Sequence, residues 1–230
     1  MQATIKLPVV NKETIDVLNR VLPDGRSYLE RVYVKIGLLI KASALNNAFA
    51  LVNLYQLHDE IINLSAYFDD EVDKFEGQIE KKKTINPTKV SFIAQSEHDL
   101  PCNNPLACSL YELMVGFDKL LSTLKLLHLS GLLESKAALY QLKERYQKKL
   151  NTLLSQIIQT PSTQHYPTSV AELIETPDAF DKTSIRLDVL IQALDAPYAP
   201  GVSAQGLHQM KYKLKQLVQR QSAKAVEVQA

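Results

Sequence analysis

The side chains with most chemistry to offer in this chain are cations. Lys81-Lys82-Lys83 form an unbroken basic triplet, Arg145, Lys148 and Lys149 fall within little more than one helical turn, and Lys211, Lys213, Lys215, Arg220 and Lys224 crowd the C-terminal region. Ammonium and guanidinium groups neutralise backbone phosphates, the source of most sequence-independent affinity for nucleic acid. A solvated helix face has the same composition, so each group taken singly has two readings. Between the first two groups lies Thr88-Lys89-Val90-Ser91-Phe92-Ile93-Ala94-Gln95. In a strand, Val90, Phe92 and Ala94 would share one face, with Lys89, Ser91 and Gln95 mostly on the other. Lys suits guanine acceptors, Gln suits adenine and Ser suits either, and a two-stranded ribbon can carry such groups into a major groove. The plain alternative is an edge strand with a polar outer face.

Other chemistry finds little footing. Asp59-Glu60 and Asp69-Asp70-Glu71 concentrate carboxylates without the glycine or the ligand spacing of a calcium loop, which fits a solvated helix face. His58, His98, His128, His165 and His208 are scattered, none beside a serine or cysteine in a recognisable catalytic setting. The seven glycines are dispersed, so no phosphate-cradling loop is legible. Cys102 and Cys108 lack zinc half-site spacing and read as reduced thiols. We therefore expect a non-enzyme with no cofactor, no metal and no evident small-molecule ligand.

The elements that must position the cations are mostly helical. With 230 residues and 46% hydrophobic content, the chain can bury one large core or two small ones. Its 26 basic and 25 acidic residues cancel to a net charge of +1, so any nucleic-acid surface must be local. From Ser27 to about Lys83 there is no proline, and Leu54, Leu57, Ile61, Leu64, Phe68, Val72, Phe75 and Ile79 recur at steps of three and four, predicting one long helix or two stacked ones. Arg31 to Ile36 also alternates and is a reserve strand. Asn104-Pro105 suits a helix start, Leu106 to Leu127 keeps a four-three apolar rhythm, and Ser130-Gly131 offers a left-handed stop. A helix from Ser135 to Gln159 should return antiparallel to it, with Leu139, Leu142, Tyr146, Leu150, Leu153 and Ile157 inside. Beyond a polar linker at Pro161 to Pro167, shorter helices are expected at Val170 to Glu175 and Ser184 to Leu194, then a basic amphipathic helix from Ala204 to Lys224. Neither a leader nor a membrane span is legible, so a cytoplasmic bacterial protein is expected.

Asn104-Pro105, Phe117-Asp118 in a leucine-rich helix, His128 before Gly131-Leu132, and Pro197 to Pro200 together resemble the AcaB-like regulators of conjugative plasmids and integrating conjugative elements. The resemblance spans roughly Ala42 to Pro200. It departs at Asn46 to Leu51, where many relatives carry an acidic run. It implies a transcriptional regulator of conjugation genes, an activator by expectation, with a fold similar to ribbon-helix-helix proteins. There two chains each give one strand to a ribbon and two helices to a dimer core. Asp118 then reads as a structural hydrogen-bonding residue and His128 as a cation near a helix C-terminus.

The expectation is thus a mainly α protein of long helical hairpins with a short β-ribbon, forming a ribbon-helix-helix-like homodimer on promoter double-stranded DNA and using no membrane. An N-terminal extension would cover 1–26, a helical core 27–200 with the ribbon-helix-helix unit at 88–159, and a basic helix and tail 201–230. Lys81, Lys82, Lys83, Lys89, Ser91, Gln95, Arg145, Lys148 and Lys149 are the candidate DNA contacts. The rival reading is a non-enzymatic helical adaptor of the conjugation machinery that never touches DNA.

Overall fold

A computed structural model of the protein describes residues 3–82, 89–161, 169–176, 183, 185–199 and 203–227, with side chains to 220. Lys83, Thr88, residues 162–167 of the expected linker, Ser184, Pro200 and the side chain of Lys224 lie outside the described residues. Among the described residues the chain is mainly helical, with one two-stranded antiparallel sheet. The helices are α1 (Lys12–Leu18), α2 (Tyr28–Ala44), α3 (Ala48–Lys82), α4 (Pro105–Leu129), α5 (Lys136–Gln159), α6 (Val170–Glu175), α7 (Leu187–Ala193) and α8 (Ala204–Glu227). The strands are β1 (Thr4–Val9) and β2 (Ser96–Pro101).

Both expected ribbon segments are corrected. Among the described residues of the 88–95 stretch, Val90 to Ala94 form neither strand nor helix, and Ile93 is 89% exposed. The true strand begins one residue later, and its mate is β1 of the same chain, in register from Thr4 opposite Pro101 to Val9 opposite Ser96. The backbone N–H of Gln95 still donates to Val9 O at 2.7 Å, but Phe92 lies instead beneath the ammonium of Lys125, 5.8 Å from its ring centroid. Arg31 to Ile36 is helical, because Leu29, Val32, Ile36 and Leu39 are buried at helical spacing while Val34, which a strand would have buried beside Val32 and Ile36, is 54% exposed. The mate of β2 is therefore β1 of its own chain and not the same strand of a second copy.

The chain divides into two compact units, one drawn from Met1–Val34 and His58–Gln159, the other from Lys35–Leu57 and Thr160–Ala230. In the first, α3, α4 and α5 bury their apolar stripes together around Phe68, whose ring lies 5.7 Å from Phe117 and 6.2 Å from Tyr146. Such aromatic pairs contribute roughly 0.5–1.5 kcal/mol each beyond their buried area. The start of α4 follows the sequence expectation: Asn104 Oδ1 accepts from Ala107 N–H at 2.9 Å, with Pro105 in the first turn. Its end does too, since Gly131 takes φ +67° and Leu132 N–H returns to Leu127 O at 3.1 Å.

Cys102 and Cys108, expected as thiols, are joined in a disulfide. The end of β2 and the first turn of α4 bring their Cα atoms to 4.9 Å, within bridging range.

In the second unit, Ser43 Oγ donates to Tyr198 O at 2.8 Å and Tyr198 Oη donates to Leu54 O at 3.3 Å. A reciprocal cap between Ser169 and Glu172 starts α6, and α8 buries Leu214 and Leu217.

Candidate nucleic-acid interface

Helix α5 carries the best-formed cationic surface. Its buried line through Tyr146, Leu150, Leu153 and Ile157 fixes its rotation, and Arg145, Lys148 and Lys149 are thereby left exposed. Neighbouring α3 supports two of them: Lys149 Nζ lies 4.7 Å from the Tyr67 ring centroid, and Arg145 Nη2 donates to Tyr67 Oη at 3.4 Å. None of the ion pairs among the described residues includes Arg145, Lys148 or Lys149. Beside them, Tyr146 donates its hydroxyl to Glu71. Burial and the adjoining carboxylate both push the phenol up. Burial alone would raise Glu71, but the hydrogen bonds from Tyr146 and Lys74 outweigh it and hold the carboxyl below its ordinary value.

The other expected contacts fall elsewhere. Lys81 and Lys82 end α3, fourteen and fifteen residues beyond Tyr67 and so roughly 21–23 Å along the helix axis. Both are exposed, and Lys82 Nζ donates to Gly131 O at 2.9 Å, just past the end of α4. Lys89, Ser91 and Gln95 are exposed on the irregular segment before β2. That segment touches Lys125, which in turn senses the charge of Lys143 on α5. Lys143 points toward α1, donating to Glu13 at 2.8 Å, and at 100° per residue it lies on the opposite side of α5 from Arg145, Lys148 and Lys149. The two expected groups therefore do not merge into one surface.

Sequence reasoning missed Tyr67, Lys125 and Glu13. Burial lowers Lys125, and the like charge of Lys143 adds to it. Burial would raise Glu13, but the hydrogen bond and charge of Lys143 prevail and lower it. Only the aromatic and basic neighbours of Tyr67 along the helices could have pointed to it.

Asp118 occupies the structural role expected of it. Its Oδ2 accepts from Val10 N–H at 3.0 Å, its Oδ1 from Asn11 N–H at 3.0 Å and Asn11 Nδ2 at 3.1 Å, and its carbonyl from Asn11 Nδ2 at 2.7 Å. This clamps the β1–α1 junction to α4. His128 lies in the last turn of α4, as expected.

The family model for the transcriptional regulator AcaB matches residues 27–156. The chain belongs to the AcaB family of transcriptional regulators. The match takes in α3, α4 and most of α5, and so includes the cationic face as well as Asp118. A crystal structure of selenomethionine-containing AcaB from uropathogenic E. coli aligns with 93% of this chain and 97% of that chain, at 18% identity and a TM-score of 0.46. No curated protein matches this AcaB-family chain. Among the described residues, no group of three His, Cys, Asp or Glu side chains is placed to hold a metal ion, and no helix is long and apolar enough to cross a membrane.

Proposed function

We propose that this protein is a DNA-binding transcriptional regulator that holds promoter duplex through the exposed face of α5. One observation carries the reading: in a chain of a transcriptional-regulator family, Arg145, Lys148 and Lys149 form an exposed cationic face without ion-pair partners among the described residues. Unpaired surface cations can exchange hydration for phosphate without first breaking a protein ion pair. Lys81 and Lys89, exposed on other parts of the same unit, are candidate flanking phosphate contacts. The conjugation genes of a mobile element are the proposed targets on the strength of the family resemblance, with activation as the proposed direction.

The test is fluorescence anisotropy with promoter duplex from a conjugative element, titrated from 50 to 200 mM salt. The three α5 contacts alone predict a log–log slope of about −2.7, or roughly 40-fold weaker binding across that range, and contacts by Lys81 and Lys89 would steepen it. Replacing Arg145, Lys148 and Lys149 together with alanine should weaken all duplex sequences alike and flatten the slope. Salt-insensitive binding, or no binding by well-folded protein, refutes the reading. Capture of a protein partner with no DNA retained would favour the adaptor instead.

A further inference from the structure

A groove of about 690 Å³ runs between α3 and α5. Its volume lies in the range of sites for small organic ligands. The ends differ in charge. At one, Glu60 of α3 accepts from Gln156 Nε2 at 2.8 Å through Oε1, while its Oε2 is buried without a hydrogen-bond partner. At the other, Arg145, Lys148 and Lys149 line the wall along with Glu144. Leu64 and Leu153 provide apolar lining between Glu60 and the cations.

Glu60 is the carboxylate lining that end, and its Oε1, which accepts from Gln156 at an exposed position, has room for a second donor, so that end is complementary to an ammonium group. The cation-rich end is complementary to a carboxylate, which Arg145 can grip with two parallel N–H groups. Gln156 is seven to eleven residues from Lys149 and Arg145 on one helix, which separates the charged ends by roughly 10–17 Å. A free amino acid is too short for that span, and a fatty acid leaves Glu60 unanswered. An extended peptide advances about 3.3–3.6 Å per residue, so four residues reach roughly 13–14 Å, with alternate side chains turned to one face.

We propose that this groove binds a linear peptide of about four residues with free termini, its ammonium at Glu60, its carboxylate at Arg145, Lys148 and Lys149, and its first and third apolar side chains on Leu64 and Leu153. The site uses cations also assigned to phosphate in the reading above, but its test contains no duplex. Failure of either idea is therefore seen separately.

The test is calorimetric titration of the full chain with Leu-Ser-Leu-Ser, its N-acetyl form and its C-terminal amide. The free peptide should bind, and each blocked form should bind at least about tenfold more weakly. Glu60→Gln should abolish the difference between free and acetylated peptide while preserving the penalty for the amide. Lys148→Ala with Lys149→Ala should reduce the amide penalty and preserve the acetyl penalty. Circular dichroism confirms that these variants are folded. Equal binding of free and blocked peptides, an acetyl penalty that survives Glu60→Gln, or no binding of the free peptide at millimolar concentration overturns the proposal.

Discussion

Replacing Asp118 with alanine should detach the N-terminal segment from α4, and the size of the effect follows from what the carboxylate holds. Asp118 is 6% exposed and Asn11 is fully buried, so water cannot readily replace the missing acceptor. Three donors lose it: the backbone N–H groups of Val10 and Asn11 and the side-chain amide of Asn11, although the last retains the Asp118 carbonyl at 2.7 Å and Ser122 Oγ at 2.9 Å. A buried donor left unsatisfied costs about 1–3 kcal/mol; the Asn11 N–H is fully buried and the Val10 N–H only partly so, which makes the expected loss about 2–4 kcal/mol. For a chain of this size that corresponds to a fall in Tm of roughly 4–16 °C. Asp118→Asn keeps one oxygen but turns an amide donor toward one of the N–H groups, and should lose about half as much. Thermal and urea melts followed by circular dichroism measure the loss, and hydrogen exchange at Val10 and Asn11 locates it. If Asp118→Ala costs under about 1 kcal/mol with both amides still protected, the clamp does not carry the stability assigned to it.

Acidification should expose the ion pairs through their sign. Glu13 and Glu71 are both held below the ordinary carboxyl value of 4.5, so their contributions are complete above about pH 4.5 and fade as pH falls through the lower folded-state values; Glu13→Gln should flatten that acid limb in pH-dependent melts. Tyr146→Phe removes the hydroxyl donated to Glu71 and should cost about 1.5–3 kcal/mol in urea melts, with the aromatic cluster otherwise intact. Gly131→Ala places a Cβ on a residue with φ +67° and should cost about 1–2 kcal/mol, although the nearest atom, Lys82 Nζ, would sit an ordinary 3.8 Å away. The Cys102–Cys108 bridge predicts an intact mass two hydrogens lighter before reduction than after, and alkylation at both cysteines only after reduction.

The helices were legible because burial writes a period into them. Leu54 through Ile79 and Leu106 through Leu127 recur at three and four, and all but Leu64 of those stripes are buried. The caps at Asn104 and Gly131 were equally readable, each residue type having a local geometric reason for its place. Neither strand was. β1 contains Pro8, which lacks an N–H and argues against a strand, while β2 reads Ser-Glu-His-Asp-Leu-Pro and buries only Leu100. Their pairing depends on a partner far along the chain, which no local pattern reports. Val90, Phe92 and Ala94 supplied the alternation without the partner. In the candidate site, Lys148 and Lys149 were visible as charges, but whether they shared a face with Lys89 depended on the rotation of α5, fixed by Tyr146 and Lys143.

The pairing of β1 with β2 also sets an order of events during biosynthesis. The first strand made meets its register partners only 87 to 97 residues later, and the carboxylate that secures the junction after it arrives later still, at Asp118. At about 5–20 residues per second, β1 waits roughly 5–20 s while its mate is translated. A bulky group joined directly ahead of Thr4 would travel with that waiting strand, whereas one joined after α8 would leave this rendezvous untouched.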